Sequence, residues 1–303
     1  MQPPEPTSEV PALPIRPDDA HKGSVGRVAV IAGSRGMSGA AALAGLGALR
    51  GGAGLVRVLC VGSIQPLVAG CDPCLMTVGL PETRAGRIDS RRWADLLDET
   101  LGWATVVALG PGLGQDNDVQ AVVADVFDRC ELPLVVDADG LNNAAARGPQ
   151  LWQTRAGRVT IMTPHPGEMR RLRRSLGMDE AAGSDEVERV RTAHEVAAAT
   201  GAVVLLKGHR TVVCDAARAY VNTSGNPGMA TGGMGDVLTG LIAALLGQGM
   251  DGFDAARLGA YCHGLAGDLC VTRVGPIGFT ANDVAQALPA ALARVYGGRM
   301  GFR

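Results

Sequence analysis

The residues best suited to chemistry lie in Asn226-Pro-Gly-Met-Ala-Thr231-Gly232-Gly233-Met234-Gly235-Asp236-Val-Leu-Thr-Gly240. Three glycines, Gly232, Gly233 and Gly235, lead into an apolar helical pattern. Free backbone N–H groups at a helix start, with the helix dipole behind them, form an anion hole. Asp236 has two readings there. As a first-turn acid it stabilises the helix by roughly 0.3–1 kcal/mol. As a general base it takes a proton from a hydroxyl while the glycine amides hold a transferring phosphate. The second reading is favoured, because so many glycines are costly at a helix start unless a ligand must approach.

The elements that must position this segment follow from hydrophobic patterning. Apolar runs at Arg27–Ala32, Leu55–Cys60, Thr105–Leu109, Leu134–Val136, Val159–Met162 and Val203–Leu206 read as strands. Thr211–Cys214 and Arg218–Val221 read as a hairpin around Asp215, which predicts an antiparallel edge late in the chain. Helical patterns cover Ser38–Arg50, Arg91–Leu101, Val119–Cys130, Asp185–Ala199, Val237–Leu246, Asp254–Val271 and Asn282–Val295. Strands alternating with helices predict βαβ units and a mostly parallel sheet.

In such a sheet, ligands bind outside the carboxyl ends of the strands. Five predicted strand ends carry glycine, charge or histidine: Gly33–Gly39, Gly110-Pro-Gly112-Leu-Gly114, Asp137-Ala-Asp139, Thr163-Pro-His165-Pro-Gly-Glu168, and Lys207-Gly208. One such end is a turn; five together argue for a site. The first loop is spaced G-x-x-G-x-x-G, which is not the dinucleotide fingerprint, and no Gly-Lys-Ser/Thr P-loop exists. A plain NAD oxidoreductase is therefore the weakest reading.

Composition narrows the class further. The chain has 303 residues, 47% of them hydrophobic and 43 of them glycine, enough for a large α/β core. A formal net charge of −2 offers no basic patch for nucleic acid. No apolar stretch approaches the roughly 18 residues that a membrane span needs. Seven scattered cysteines, with one isolated Cys71-Asp-Pro-Cys74, suit a reduced, cytoplasmic protein better than a disulfide or zinc framework. The first 17 residues hold six prolines and no signal-peptide core, and read as a disordered or loosely attached tail over residues 1–20. Only two of the 28 basic residues (Lys and Arg) are lysines, Lys22 and Lys207, which makes both candidates for positions that need a compact ammonium.

The segment Gly225–Gly240 is similar to the signature of the ADP/ATP-dependent NAD(P)H-hydrate dehydratases, a branch of the ribokinase-like superfamily. His21-Lys22-Gly23, Gly110–Gly114, Thr163–Glu168, Lys207-Gly208 and His263–Asp268 resemble that family in the same order. The resemblance covers roughly residues 21–297. It implies a single α/β domain over residues 21–303, with a mostly parallel sheet sandwiched by helices. It implies ADP-dependent dehydration of the S epimer of hydrated NADH or NADPH, a metabolite repair. The C6 hydroxyl is phosphorylated and phosphate then leaves. Asp236 would activate that hydroxyl. Ala41, Gly112, Gly114 and His165 would line the substrate pocket with it. Lys207, Gly208, His209, Arg210 and Thr211 would follow the nucleotide phosphates, with Gly232, Gly233 and Gly235 beside them. Magnesium would arrive with ADP or ATP, and no protein-only metal cluster is expected. The implied partners are the hydrated dinucleotide and ADP, further copies in a homo-oligomer such as a tetramer, and a separate epimerase chain upstream.

Alternatives stay open. A kinase of a small alcohol, such as a thiamin-precursor kinase, would share Gly-Gly-x-Gly-Asp, and a non-catalytic nucleotide sensor would share the binding loops. His165 can instead cap the following helix, Glu168 can serve the dipole of that helix, and Asp137 and Asp139 can cap another. His263 and Asp268 read as structural, and His194, in a charged helix, as solvated. The Ala/Gly-rich helices Ser38–Arg50 and Val237–Leu246 can form an oligomer seam or serve the core.

Overall fold

A computed structural model describes residues 3–296. Ten strands form one sheet: β1 (Pro6–Thr7), β2 (Arg27–Ile31), β3 (Leu55–Val61), β4 (Met76–Leu80), β5 (Val106–Leu109), β6 (Leu134–Val136), β7 (Thr160–Met162), β8 (Val203–Leu206), β9 (Val212–Cys214) and β10 (Ala219–Val221). Their order is β1-β10-β9-β8-β7-β6-β5-β2-β3-β4. From β4 to β8 every pairing is parallel, and β9 pairs antiparallel with both β8 and β10. The expected late antiparallel edge is therefore present.

The helices are α1 (Ser38–Arg50), α2 (Gln65–Ala69), α3 (Ala94–Trp103), α4 (Asn117–Arg129), α5 (Asp139–Arg147), α6 (Gln150–Gln153), α7 (Pro166–Ser175), α8 (Glu186–Thr200), α9 (Met234–Gly247), α10 (Gly252–Arg273) and α11 (Ala281–Ala293). α1, α9, α10 and α11 pack together, with α9 against β2, β5 and β6. α4, α5 and α7 pack in series away from them, and α8 covers β8 and β9. The central strands are buried on both faces, which is why they read as unbroken Val/Leu runs.

The chain runs outward from β2 to β3 and β4, then returns to place β5 on the other side of β2. That reversal is the topological switch point, where open α/β sheets bind ligands. The two glycine loops meet there. Gly33 N donates to the Pro111 carbonyl (2.7 Å), and Ser34 Oγ donates to the Gly112 carbonyl (2.7 Å).

The small residues of α1 and α9 are used against each other. A Cβ at Gly47 would strike the Val237 carbonyl, and one at Gly240 would strike the Ala44 carbonyl. This close backbone approach fixes the start of α9 over the sheet edge, so these glycines serve the core. The Pro-rich tail lies along the body. β1 adds to the sheet beside β10, Leu13 bridges Tyr296, and Arg16 donates to the Gly52 carbonyl.

Candidate functional site

The site is assembled from the carboxyl ends of β5, β6, β7 and β8, neighbours in the sheet, with α9 packed against β5 and β6 and the Lys207 side chain reaching its start from β8. Gly233, at φ 89°, turns the chain into α9, and Gly235 and Asp236 fall in its first turn. The first four amides of a helix have no intrahelical partner, so this turn presents free N–H groups. A Cβ at Gly235 would lie 3.2 Å from Lys207 Nζ and 3.6 Å from Asp137 Oδ2, so the glycine lets the lysine pass close to the helix start.

Lys207 and Asp137 form the centre. Lys207 Nζ donates to Asp137 Oδ1 (2.6 Å) and lies 3.8 Å from Glu168 Oε2. The other Asp137 oxygen accepts from Thr239 Oγ1 (2.8 Å), one turn along α9. Asp137 is 1% exposed, so its charge is tolerated only because both oxygens are paired. Burial alone would pull the Lys207 ammonium down, but Asp137 and Glu168 outweigh it and hold it above its ordinary value. Glu168 is pushed up, chiefly by burial, against the pull of Lys207.

Asp236 differs from both. Burial pushes its carboxyl up to about 7, and the charges of Asp137, Asp139 and Glu168 add to this while Lys207 opposes it. Among the described residues no hydrogen bond engages its carboxylate. A carboxyl poised near neutrality beside an anion hole matches the requirement for a general base.

The backbone between the two aspartates is strained. Ala138 adopts φ 49° and ψ −120°, outside the regions open to residues with a Cβ. The strain turns neighbouring carboxylates to different tasks. Asp137 faces Lys207, while Asp139 accepts from the Gly114 amide (2.8 Å) and Gln115 Nε2 (2.9 Å). Asn143 Nδ2 donates to the Gly114 carbonyl (2.9 Å), which completes the hold on that loop.

The remaining expected residues divide. His165 caps α7: its Nδ1 accepts from the amides of Gly167 (2.9 Å) and Glu168 (3.3 Å), and Glu168 Oε2 in return accepts from the His165 amide (2.8 Å). Its Nε2 lies 3.2 Å from Glu168 Oε1 with half the side chain exposed, and burial with nearby Lys207 lowers its pKa. Because Nδ1 accepts, the neutral ring carries its proton on Nε2. The capping alternative is thus realised, and it links His165 to the Lys207 cluster through Glu168.

Of Lys207–Thr211, only Lys207 turns into the cluster. Gly208, His209 and Arg210 are exposed, Arg210 pairs with Glu186, and Thr211 Oγ1 donates to the Gly208 carbonyl (3.0 Å). His209 and Arg210 line a cavity of about 230 Å³ with the start of α8. Gly232 is exposed at the rim. A Cβ at Gly112 would crowd Ala40 and Met37 at 2.9 Å, so that glycine serves the contact between the two switch-point loops. Ala41 is fully buried beneath Gly33, inside the core and not on a pocket wall. Lys22 is exposed before β2, at the opposite edge of the sheet from the site.

Asp268 holds the approach to α9, accepting from the Gly225 amide (3.0 Å) and Asn226 Nδ2 (2.8 Å). His263 is buried beside Met234, and burial pushes its pKa down to about 4. Sequence spacing did not single out Thr239. Thr239 had a signal, since it stands three residues after Asp236 and so on the same helix face. Among the described residues no group of three or more His, Cys, Asp or Glu is arranged to hold a metal ion.

This fold, with an unpaired carboxyl at a glycine-lined helix start on the switch-point edge, defines a ribokinase-like α/β protein. Solved ribokinase-like structures superpose on it. A sequence model described as NAD(P)H-hydrate dehydratase matches residues 28–290. The bifunctional NAD(P)H-hydrate repair enzyme of Moorella thermoacetica is 43% identical over 92% of this chain and 52% of its own length. The ADP-dependent (S)-NAD(P)H-hydrate dehydratase of Neisseria meningitidis serogroup B is 36% identical over 90% of this chain and 86% of its own. The ADP/ATP-dependent NAD(P)H-hydrate dehydratase of Bacillus subtilis, co-crystallised with ATP and Mg2+, superposes with a TM-score of 0.75. It is 30% identical and covers 94% of this chain and 95% of its own. The chain belongs to the NAD(P)H-hydrate dehydratase family. It spans about half the length of the bifunctional curated relatives it matches.

Proposed function

We propose that this chain is an ADP-dependent dehydratase of the S epimer of hydrated NADH or NADPH, acting as one ribokinase-like domain. One observation carries the reading. Asp236 is the unpaired carboxyl at the α9 glycine turn, pushed up to about 7 within reach of the Lys207–Asp137 pair.

In the first step the Asp236 carboxylate accepts the proton of the C6 hydroxyl. The hydroxyl oxygen attacks the terminal phosphorus of ADP, and the bond to AMP breaks. The α9 amides and the Lys207 ammonium face the transferring group and stabilise its charge. Magnesium carried on the nucleotide's phosphates would neutralise part of that charge. Asp137 and Asp139 are already taken by protein donors, which supports an ion carried by the nucleotide and not by a protein cage. In the second step the C6–O bond breaks with its electron pair on phosphate. The ring nitrogen's lone pair supports departure, and transfer of a C5 proton to water restores the C5=C6 double bond.

Supporting observations bear on setting. All seven cysteines are free, including exposed Cys71 and Cys74, which favours a reducing, cytoplasmic compartment. Among the described residues no helix is long and apolar enough to cross a membrane.

The test is recovery of reduced-nicotinamide absorbance from prepared NADH hydrate, with magnesium and ADP, ATP or neither. ADP-dependent recovery that Asp236→Asn abolishes supports both the reaction and its base. A stable phosphoester in place of free phosphate would turn the reading to a kinase. Nucleotide binding without turnover would turn it to a sensor.

A further inference from the structure

We propose that Arg87 binds a phosphate of the dinucleotide substrate, at the end of the site away from Lys207; the proposal rests on the dehydratase reading above.

Arg87 lies in the segment between β4 and α3. Its side chain crosses directly over Gly114, where a Cβ would run into Arg87 Nε. Gly114 has φ +81° and no side chain, so the arginine lies flat on the loop that Asp139 and Asn143 hold. The family resemblance implies ligand approach at Gly114; in the structure its smallness first serves Arg87.

The position is built and rigid. Glu82 and Ile88 form a bridge, the Thr83 amide donates to the Arg87 carbonyl (2.8 Å), and the Gly86 amide closes the turn on Thr83 (2.9 Å). The Arg35 amide ties this turn to the switch-point loop through the Gly86 carbonyl (3.0 Å). Buried Ile88 anchors the next residue.

The guanidinium is nevertheless unsatisfied. Among the described residues it makes no ion pair within 4 Å and no side-chain hydrogen bond. Its neighbours do: Arg35 pairs with Glu82 (2.8 Å) and Arg91 with Asp89 (2.9 Å). A planar fork of five donors that lies over Gly114 with no protein partner suits bidentate binding of phosphate.

Charge supplies the need. Asp137, Asp139, Glu168 and Asp236 crowd this edge against the single ammonium of Lys207. Lys207 follows β8, and Gly114 follows β5, three strands away in the sheet. The Lys207 side chain reaches back to Asp137 at the end of β6, and Asp139, two residues on, holds the Gly114 amide that Arg87 covers, so the two cations stand on either side of the Asp137–Asp139 turn. One end then serves the ADP phosphates, and the other serves the substrate's own phosphates, either the pyrophosphate or the 2′-phosphate of NADPH.

Steady-state kinetics on Arg87→Ala and Arg87→Lys, with hydrated NADH and hydrated NADPH varied separately from ADP, tests this. Arg87→Ala is expected to raise KM for the hydrate about tenfold or more while kcat and KM for ADP stay within about twofold. Arg87→Lys is expected to fall between. A rise equal for both hydrates assigns the pyrophosphate; a rise confined to hydrated NADPH assigns the 2′-phosphate. Unchanged hydrate KM, or a rise confined to ADP, overturns the proposal. Equilibrium binding of NADPH, followed by its fluorescence, reads the same contact without turnover. If wild type turns over no hydrate but Arg87→Ala still weakens NADPH, the dehydratase reading fails and the Arg87 site stands. If turnover is intact and NADPH binding is unchanged, the Arg87 site fails alone.

Discussion

Two carboxylates at one sheet edge, Asp137 after β6 and Asp236 at the start of α9, share the field of a single lysine but differ in their bonding. Asp137 has both oxygens filled, by Lys207 and Thr239. Asp236 has neither filled, and burial pushes it up to about 7. A fully paired buried charge is scaffold, because removing a partner leaves an uncompensated ion. An unpaired one near neutrality is free to exchange a proton. The difference separates the group that holds the site from the group that acts in it.

Asp236→Asn tests that division most sharply. It is expected to lower kcat about 10³-fold, within the range for loss of a general base, with little change in KM for ADP. Loss of ADP affinity with preserved kcat would reverse the roles of the two aspartates. Asp137→Asn comes next. It strips Lys207 of its main partner, and breaking a buried pair costs about 3–5 kcal/mol, so the denaturant midpoint should fall well below wild type. Asp236→Asn should show no such fall.

The pH dependence sharpens the comparison further. The free enzyme's kcat/KM should drop as pH falls through about 7, because the protonated Asp236 cannot accept a proton. Stability moves in the other direction. The folded-state pKa lies above the ordinary 3.8, so folded protein binds the extra proton between the two values. That contribution is fully present below about 4 and is lost as pH rises through about 7. The melting temperature of Asp236→Asn should therefore gain on wild type across that window; a constant difference would place the pKa elsewhere. The smallest effect is expected at His165. Its replacement by Ala removes the α7 cap, worth about 1 kcal/mol, or roughly 2–4 °C in Tm. A Tm loss with unchanged hydrate KM would make His165 a cap alone.

Much of the fold is legible in the amino-acid order. Leu134–Val136 and Val203–Leu206 are readable to the residue because buried parallel strands are unbroken apolar runs. β4 is not, because Met76–Leu80 carries Thr77 and Gly79 and is largely unburied at the sheet edge. α7 is hidden as well, because its Arg-rich sequence has little apolar signal, and the His165–Glu168 capping box starts it instead. Proline content marks the tail but says nothing of the partners it finds at β10 and Tyr296.

The sequence by itself determined the local chemistry: a glycine-lined helix start, an acid in its first turn, and five reactive strand ends on one edge. These follow from spacing along the chain, which a helix or strand converts directly into position. Only the tertiary structure decided which of those groups meet. Asp137 and Lys207 lie 70 residues apart, and Arg87 reaches Gly114 from a loop that has no motif. Sheet order, helix packing and the turned backbone at Ala138 bring them together, and none of these is written in the local sequence.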